Sequence, residues 1–166
     1  MAVKMKVVGL MVDPNNSGPV VVLRDEAGEH LLPIWIGILE ASSIAAAMEK
    51  LQLARPMTHD LFVSTLAEIG ARIDKIVVND LQDNTYFARI HLVDQQGRTH
   101  EIDARPSDSI ALALRVSADI YVEENVLDNA IKLDKEMFEK MQKAQEDKWK
   151  EMLEELDEDD LGKYRM

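Results

Sequence analysis

The chain has 166 residues, about the size of one domain, and its 46% hydrophobic and 30% charged residues are typical of a globular protein. It carries 19 Lys and Arg against 31 Asp and Glu, a formal net charge of −12 at pH 7. That balance gives no support to a histone-like or coating role on DNA, which needs a basic surface, but it allows a local cationic site. Cysteine is absent, so disulfides, thiolate zinc sites and cysteine nucleophiles are excluded together.

The hydrophobic pattern also limits the location of the protein. No apolar run approaches the roughly 20 residues that a membrane span needs. The start, from Met1 to Val12, alternates too much and meets Asp13-Pro14 too soon to be a signal peptide. We therefore expect a soluble, cytoplasmic protein with no membrane partner.

The first half of the chain predicts three strands and then two helices. Pro33 lies in the third strand and indicates an edge or a bulge there. Thr58 is positioned to cap the second helix, and Gly70 to end it. The predicted strands are Met5 to Val12, Pro19 to Asp25 and Glu29 to Ile36, and the first helix runs from Ile38 to Leu53.

The second half repeats this order with three strands, one short helix and a last strand. Arg105-Pro106 breaks the third of these strands, and Ser107 is predicted to cap the helix. Tight hairpins in a mixed order predict an α+β fold: one domain with a mixed, largely antiparallel sheet, packed helices and a C-terminal amphipathic helix. The predicted strands are Arg72 to Asp80, Thr85 to Val93, Arg98 to Ala104 and Ile120 to Val122.

A weak internal repeat accompanies this order. Asp25–Gly28 and Asp94–Gly97 each follow an apolar strand and precede another, and each unit then leads to a helix that contains Ser-Ile-Ala. Either the chain contains a duplication with a three-residue deletion, or hairpin-then-helix is simply a common unit.

The chain changes character after Ile131, so we divide it into a domain, residues 1–131, and an acidic amphipathic helical tail, residues 132–166. The tail has one apolar stripe, which must pack on the domain, on a second subunit or on another protein. We expect it to dock outside the main core, and we expect a homo-oligomer, most simply a dimer. The stripe consists of Phe138, Met141, Trp149, Met152 and Leu156.

Two segments concentrate polar groups where the chain breaks before a helix: Arg55–Asp60 and Arg105–Ser109. Helix capping accounts for their hydroxyl and acidic residues but leaves both arginines and His59 unexplained. Arginines beside helix N-termini suit phosphate binding, although they could equally pair with the acidic residues and hold the loops closed. The residues that capping explains are Thr58, Asp60, Ser107 and Asp108.

The remaining histidines offer a second candidate site. If Asp94 to Gly97 form the turn, His91 faces His100 across two strands. Such a pair could act as acid and base or bind a metal, but exposed histidine pairs are also common. His30 shows no partner in the pattern, and we interpret it as a surface strand residue. No phosphate-binding loop, dinucleotide fingerprint, zincin motif or serine-hydrolase elbow occurs.

Three motifs together resemble the bifunctional nuclease domain family. They are Leu32–Gly37 with Glu40-Ala41, then Arg55–Leu61, then Asp103–Ala113, and the resemblance covers Met5 to Asn129. It implies an α+β fold and nuclease activity towards DNA and RNA, as assigned from plant members. The UVR-like motif that follows the domain in plant relatives is not seen here.

The resemblance brings no residue-level mechanism, so the roles are inferred from chemistry. We assign Arg55 and Arg105 to the phosphate and His59 to proton transfer, with Thr58 and Ser107 as substrate contacts. Three acidic residues are candidates to hold a divalent cation such as Mg²⁺: Glu40, Asp60 and Asp108. No organic cofactor is expected, and the partner is a transiently bound nucleic acid. The alternative is a non-enzymatic binding or regulatory module in which the Arg/Asp pairs are structural latches.

Overall fold

The computed structural model describes residues 1–15 and 18–155, with side chains to residue 147. Within these residues it contains seven strands and five helices, an α+β fold as the sequence predicts. The strands are β1 Ala2–Val12, β2 Pro19–Asp25, β3 Leu31–Trp35, β4 Arg72–Gln82, β5 Thr85–Val93, β6 Thr99–Ala104 and β7 Asp119–Glu123. The helices are α1 Ile38–Met48, α2 Thr58–Glu68, α3 Pro106–Val116, α4 Glu124–Asn129 and α5 Lys135–Glu155.

The described strands form one sheet in the order β3-β2-β1-β7-β4-β5-β6. Each half is an antiparallel meander, β1-β2-β3 or β4-β5-β6, and β7 lies between them, antiparallel to β1 and parallel to β4. Each meander is followed by a helix, α1 or α3, so the two halves share the order that the sequence repeat indicated. Pro33 lies in the edge strand β3, where a missing backbone donor is tolerated.

The sheet is curved, and the curvature brings distant strands together. The hydroxyl of Tyr86 on β5 donates to the carbonyl of Pro33 on β3, at 3.4 Å. These strands are five positions apart, which in a flat sheet would separate them by about 24 Å. Helices α1, α2 and α3 pack on the inner face of this curve, and their contacts with one another form the candidate site.

Alternation along β2 shows that both faces of its half of the sheet are covered. Val21 and Leu23 belong to the main core with α1 and α3, whereas Val20 and Val22 pack with α5 on the opposite face. From the tail, Leu133, Phe138 and Met141 are buried in this second cluster. These tail residues therefore pack outside the main core. The side chains of Trp149 and Met152, and all of Leu156, lie outside the described residues.

Two predicted helix boundaries are wrong, for local reasons. The first helix ends at Met48 rather than at Leu53, because Lys50 adopts a left-handed backbone, φ 49°, that no α-helix can continue. Thr58 does not cap α2: Met57 precedes the helix, and its N–H donates to the Asp60 carboxylate at 3.0 Å. The left-handed Gly70, φ 73°, follows α2 as predicted.

The start of α3 also differs from the prediction. Arg105 is the cap residue with an extended backbone, Pro106 is the first helical residue, and Ser107 lies inside the helix and is buried. Proline suits this position because its fixed φ fits the first turn and its missing N–H has no intrahelical partner there. Within the described residues, no helix has the length and apolar character needed to cross a membrane.

Candidate functional site

A chain of hydrogen bonds crosses the junction of α1, α2 and α3. It begins at Glu40 on α1 and passes through the start of α3 to His59 on α2. From there it returns to α1, crosses the end of α3 and finishes at Asp60 on α2. The members lie far apart in the sequence, so the curved sheet and the helix packing bring them together. In order, the chain is Glu40, Arg105, Asp108, His59, Ser43, Arg115 and Asp60.

His59 lies at the centre of this chain and is only 18% exposed. Its Nε2 is 2.9 Å from Oδ1 of Asp108, and its Nδ1 is 2.7 Å from Oγ of Ser43. An ionised carboxylate only accepts, so in a neutral imidazole Nε2 carries the proton and Nδ1 accepts from the serine hydroxyl. Serine hydrolases use the same three residue types, but there the carboxylate binds Nδ1 and the serine binds Nε2.

Arg105 connects two carboxylates at the mouth of the site. Its Nε donates to Oδ2 of Asp108 and one terminal nitrogen donates to Oε1 of Glu40, each at 2.8 Å. The other terminal nitrogen has no hydrogen bond to any residue that the structure describes, and the side chain is 63% exposed. Arg105 can therefore bind a further anion without leaving its partners.

The carboxylates of this group are held in their charged forms. Burial alone would raise the pKa of Asp108, but hydrogen bonds from Arg105 and His59 outweigh it, and the pKa lies below its ordinary value. The pKa of Glu40 is also lowered, first by a hydrogen bond from its own backbone and then by Arg105. A Cβ at Gly37 would overlap the Glu40 carboxylate, so the glycine leaves room for this orientation.

Sequence reasoning missed two members, Ser43 and Arg115. The Nε of Arg115 donates to Oδ1 of Asp60 at 2.8 Å, and its terminal nitrogens reach the carbonyl and the hydroxyl of Ser43, at 3.2 and 3.3 Å. Arg115 is only 10% exposed, and its bond to Asp60 is the largest cause of that residue's lowered pKa. The one sequence signal is the Ser-Ile-Ala triplet that begins at Ser43, which belongs to the internal repeat and does not by itself indicate a site.

Three clefts meet at Arg105. We call the largest the aromatic cleft: about 670 Å³, between α2 and strands β5 and β6. The helix cleft, about 460 Å³, lies between α1 and α2 and is lined by Ser43, Leu39 and Met57. A third, about 430 Å³, extends towards Trp35. His59, Asp108 and Arg105 line both the aromatic and the helix cleft, so they form the wall between them.

The predicted substrate residues differ in their access to this region. Thr58 is exposed and lines both the aromatic and the helix cleft. Ser107 borders the third cleft but is buried. Arg55 is exposed in the loop between α1 and α2 and makes no hydrogen bond or ion pair to any described residue. The pairing of Arg55 with Asp60 that the spacing allowed is absent, since Asp60 binds Arg115 instead.

The three predicted metal ligands do not converge on one point. Glu40 and Asp108 both face Arg105, whereas Asp60 binds Arg115. Among the described residues, the group whose ligand atoms lie within 4.8 Å of one another is elsewhere: Asp25, Glu29 and His30.

The predicted pairing of His91 with His100 is wrong by one residue. Val93 faces Thr99, so His91 faces Glu101, and Leu92 faces His100. The reason is the turn, in which Gly97 adopts a left-handed backbone, φ 79°, and Asp94 donates its N–H to the carbonyl of Arg98. This adds one residue to the loop.

The other histidine interpretations also change. His100 binds Asp94, with Nε2 2.9 Å from Oδ2. His30 lies outside the strands and binds Asp25 through its N–H and its ring, so the interpretation as an unpartnered strand residue is wrong. Burial alone would raise the pKa of Asp25, but the hydrogen bonds from His30 lower it by more, so the pKa lies below its ordinary value.

The fold and the site together define a class: an α+β domain with a histidine–carboxylate–arginine group at a helix junction beside open clefts. Comparison with known proteins gives the family. Residues 21–134 match the model of the bifunctional nuclease domain, and the chain belongs to this family. The matched range contains every member of the hydrogen-bond chain.

Individual relatives show how far this similarity extends. An uncharacterised protein of Mycobacterium tuberculosis is 38% identical over 163 residues, which cover 95% of this chain and 97% of the relative. Bifunctional nuclease 2 of Oryza sativa subsp. japonica is 30% identical over 111 residues, 65% of this chain and 34% of its own length. Bifunctional nuclease 1 of Arabidopsis thaliana is 31% identical over 107 residues, 63% and 33% respectively. The chain thus matches about a third of each plant protein.

Proposed function

We propose that the chain is a nuclease that hydrolyses phosphodiester bonds of DNA or RNA at the helix junction. The observation that carries the proposal is Arg105: an exposed guanidinium with a free terminal nitrogen, next to a histidine held between a carboxylate and a hydroxyl. Family membership supports the reaction class, because the plant relatives are named nucleases.

In the proposed reaction the free nitrogen of Arg105 binds a non-bridging oxygen of the scissile phosphate. The guanidinium offsets the charge that grows on that oxygen as water attacks phosphorus and the bond to the leaving oxygen breaks. Arg55 and Thr58, both exposed beside the junction, bind the flanking backbone. We assign no substrate contact to the buried Ser107.

His59 receives the proton of the attacking water. Both of its nitrogens are occupied, so the proton reaches Nδ1 through the hydroxyl of Ser43, which faces the helix cleft. The water gives its proton to Ser43 as Ser43 gives its own to His59, and the leaving oxygen takes a proton from solvent. Asp108 stabilises the imidazolium that results.

A divalent cation such as Mg²⁺ fits one part of this site. The carboxylates of Glu40 and Asp108 are the hard oxygen ligands that Mg²⁺ prefers, and both lie at the Arg105 position. An ion there would offset the excess of acidic over basic groups beside a polyanion. Asp60 pairs with Arg115 rather than with Arg105, so it lies apart from these two carboxylates and we do not include it in the proposed ion site.

The test is cleavage of fluorescent single-stranded DNA and RNA by the purified full chain, with Mg²⁺ and with EDTA. We expect His59→Ala to lower kcat about 10²- to 10⁴-fold, the usual range for loss of a proton-transfer group. We expect Arg105→Ala to lower kcat by a comparable factor. Arg72→Ala removes another exposed arginine with an acidic partner and should cleave like the unmodified chain. Equal cleavage by all four preparations would identify a contaminating nuclease and contradict the proposal.

The second candidate is a binding or regulatory module without catalysis. It is favoured by the internal pairing of Arg105 with Asp108 and of Arg115 with Asp60, which makes these groups latches between helices. In that case His59→Ala and Arg115→Ala would lower stability while no preparation cleaves nucleic acid under any condition.

A further inference from the structure

The proposed reaction places the attacking water in the helix cleft and assigns no part of the substrate to the aromatic cleft. The two clefts share the wall formed by His59, Asp108 and Arg105. Two aromatic side chains line the aromatic cleft, Phe62 from α2 and Tyr86 from β5, and Ile102 borders it from β6. Phe87 follows Tyr86 on β5, so its ring lies on the opposite face of the strand. Phe62 and Ile102 are both part-exposed, so the apolar surface faces solvent rather than a sealed core.

The dimensions and the polar groups of the cleft limit its ligand. A volume of about 670 Å³ lies within the range of small-molecule sites, which are mostly apolar with a few polar groups. Here the exposed Thr58 of α2 offers a hydroxyl partner for a flat heterocycle with hydrogen-bonding edges, beside the polar wall of His59 and Asp108. Arg105 at the wall supplies a cation for an attached phosphate.

The net charge of the chain further limits the kind of ligand that the aromatic cleft can bind. With a net charge of −12, little binding energy comes from a continuous cationic track along a polyanion. Stacking of a base on an aromatic ring supplies affinity that does not depend on net charge. A cleft that joins aromatic rings to one guanidinium therefore suits a base together with its phosphate.

We propose that the aromatic cleft binds one unpaired nucleobase next to the scissile phosphate, so that the substrate is single-stranded nucleic acid. This inference rests on the proposed nuclease function. A base inside a duplex is paired and stacked, and it would have to leave the stack to enter the cleft. The backbone then crosses Arg105 with the base on one side of the His59–Asp108 wall and the attacking water in the helix cleft on the other.

The first experiment compares cleavage of one labelled sequence in three forms: single strand, duplex, and single strand with an abasic site at the cut position. We expect the single strand to be cleaved fastest. Phe62→Ala and the milder Phe62→Leu should lower its kcat/KM by roughly 5- to 150-fold, the range for loss of one stacked base. Ile69→Ala, on an exposed residue that follows α2 and lies outside the cleft, is the matched control. Equal cleavage of all three forms, or no effect of either Phe62 variant, would overturn the inference.

The second experiment measures binding without catalysis, by ligand-observed NMR with adenosine 5′-monophosphate and with ribose 5-phosphate. We expect the nucleotide to bind more tightly, and this preference to disappear in Phe62→Leu. If that holds while no preparation cleaves nucleic acid, the base site stands and the nuclease proposal fails. If cleavage depends on His59 but the two probes bind alike, the nuclease stands and the base site is wrong.

Discussion

At the scale of single residues, Ser43 decides how the proton leaves the attacking water. Its hydroxyl lies between His59 and the helix cleft, whereas the neighbouring Ser42 bonds to the carbonyl of Ile38 within its own helix, at 2.9 Å. The two serines thus form a matched pair on one helix. Only the first can relay a proton to the imidazole.

We expect Ser43→Ala to lower kcat about 10- to 100-fold, less than the loss of His59, because a water can occupy the vacated position and carry the proton. Ser42→Ala should leave kcat unchanged. The measurement is single-turnover cleavage of a labelled single strand. A Ser43→Ala enzyme as fast as the unmodified chain would show that the hydroxyl only orients His59.

Asp60 makes stability depend on pH. Hydrogen bonds from Arg115 and from the Met57 N–H lower its pKa below the ordinary value of 3.8. A carboxyl with a lower pKa in the folded state stabilises the fold above its unfolded pKa, and this contribution is lost as pH falls below about 4 through the folded value. We expect Tm to drop over that acidic range, and to drop less steeply in Asp60→Asn. Parallel Tm curves for the two proteins between pH 2.5 and 7 would contradict this.

At the scale of elements, the end of α1 contains a backbone strain that a substitution can relieve. Lys50 has φ 49°, a conformation that is costly for residues with a Cβ, whereas Glu49 before it is right-handed. Lys50→Gly should therefore stabilise the fold by roughly 0.5–1 kcal/mol. Glu49→Gly, at a position with no such strain, should destabilise it. Chemical denaturation midpoints measure both, and an equal loss in the two variants would refute the argument.

Sequence patterns predicted those elements whose cause is local. The edge position of β3 follows from Pro33, and the end of α2 follows from Gly70, because each residue imposes its own backbone geometry. The pairing of Arg105 with Asp108 is also local, at a spacing of three residues. The bonds of Arg115 to Asp60 and Ser43 span 55 and 72 positions, so no spacing rule could reveal them.

Two of the failed predictions, the end of α1 and the histidine register, each trace to one residue with a left-handed backbone. Leu51 and Leu53 keep a helical spacing, yet the left-handed Lys50 stops α1 before them and leaves both half or more exposed. The left-handed Gly97 likewise shifted the histidine register. Hydrophobic periodicity reports which side chains share a face, but it does not report where the chain turns.

At the scale of the whole molecule, six apolar side chains of α1, α2 and the segment between them are exposed among the described residues, and we name them the α1–α2 surface. It borders the helix cleft and contains none of the rings of the aromatic cleft. The members, each half or more exposed, are Ile38, Leu39, Leu51, Leu53, Met57 and Leu61.

We expect this surface to bind a second copy of the chain and to form a twofold dimer, since isologous pairing covers the same patch on both copies. Phe138 and Met141 of the tail stripe are buried against the domain, so these two side chains are not available for the contact. Light scattering at high micromolar concentration should give a dimer, and Leu39→Glu with Leu53→Glu should give a monomer. Ile131→Glu, an equally exposed residue outside the surface, should remain dimeric. A monomeric unmodified chain would defeat the expectation.

The position of β7 has a consequence for the order in which the molecule can form during synthesis. The first 118 residues contain both meanders and all three helices of the junction, but β1 and β4 share no neighbour in the sheet until Asp119–Glu123 is added. Before β7 has left the ribosome, the nascent chain can form the two three-stranded meanders, but no strand pairing joins them and the facing edges of β1 and β4 stay open. Strand β7, which like the other strands contributes no residue to the hydrogen-bond chain, is therefore the one whose addition completes the sheet that supports it.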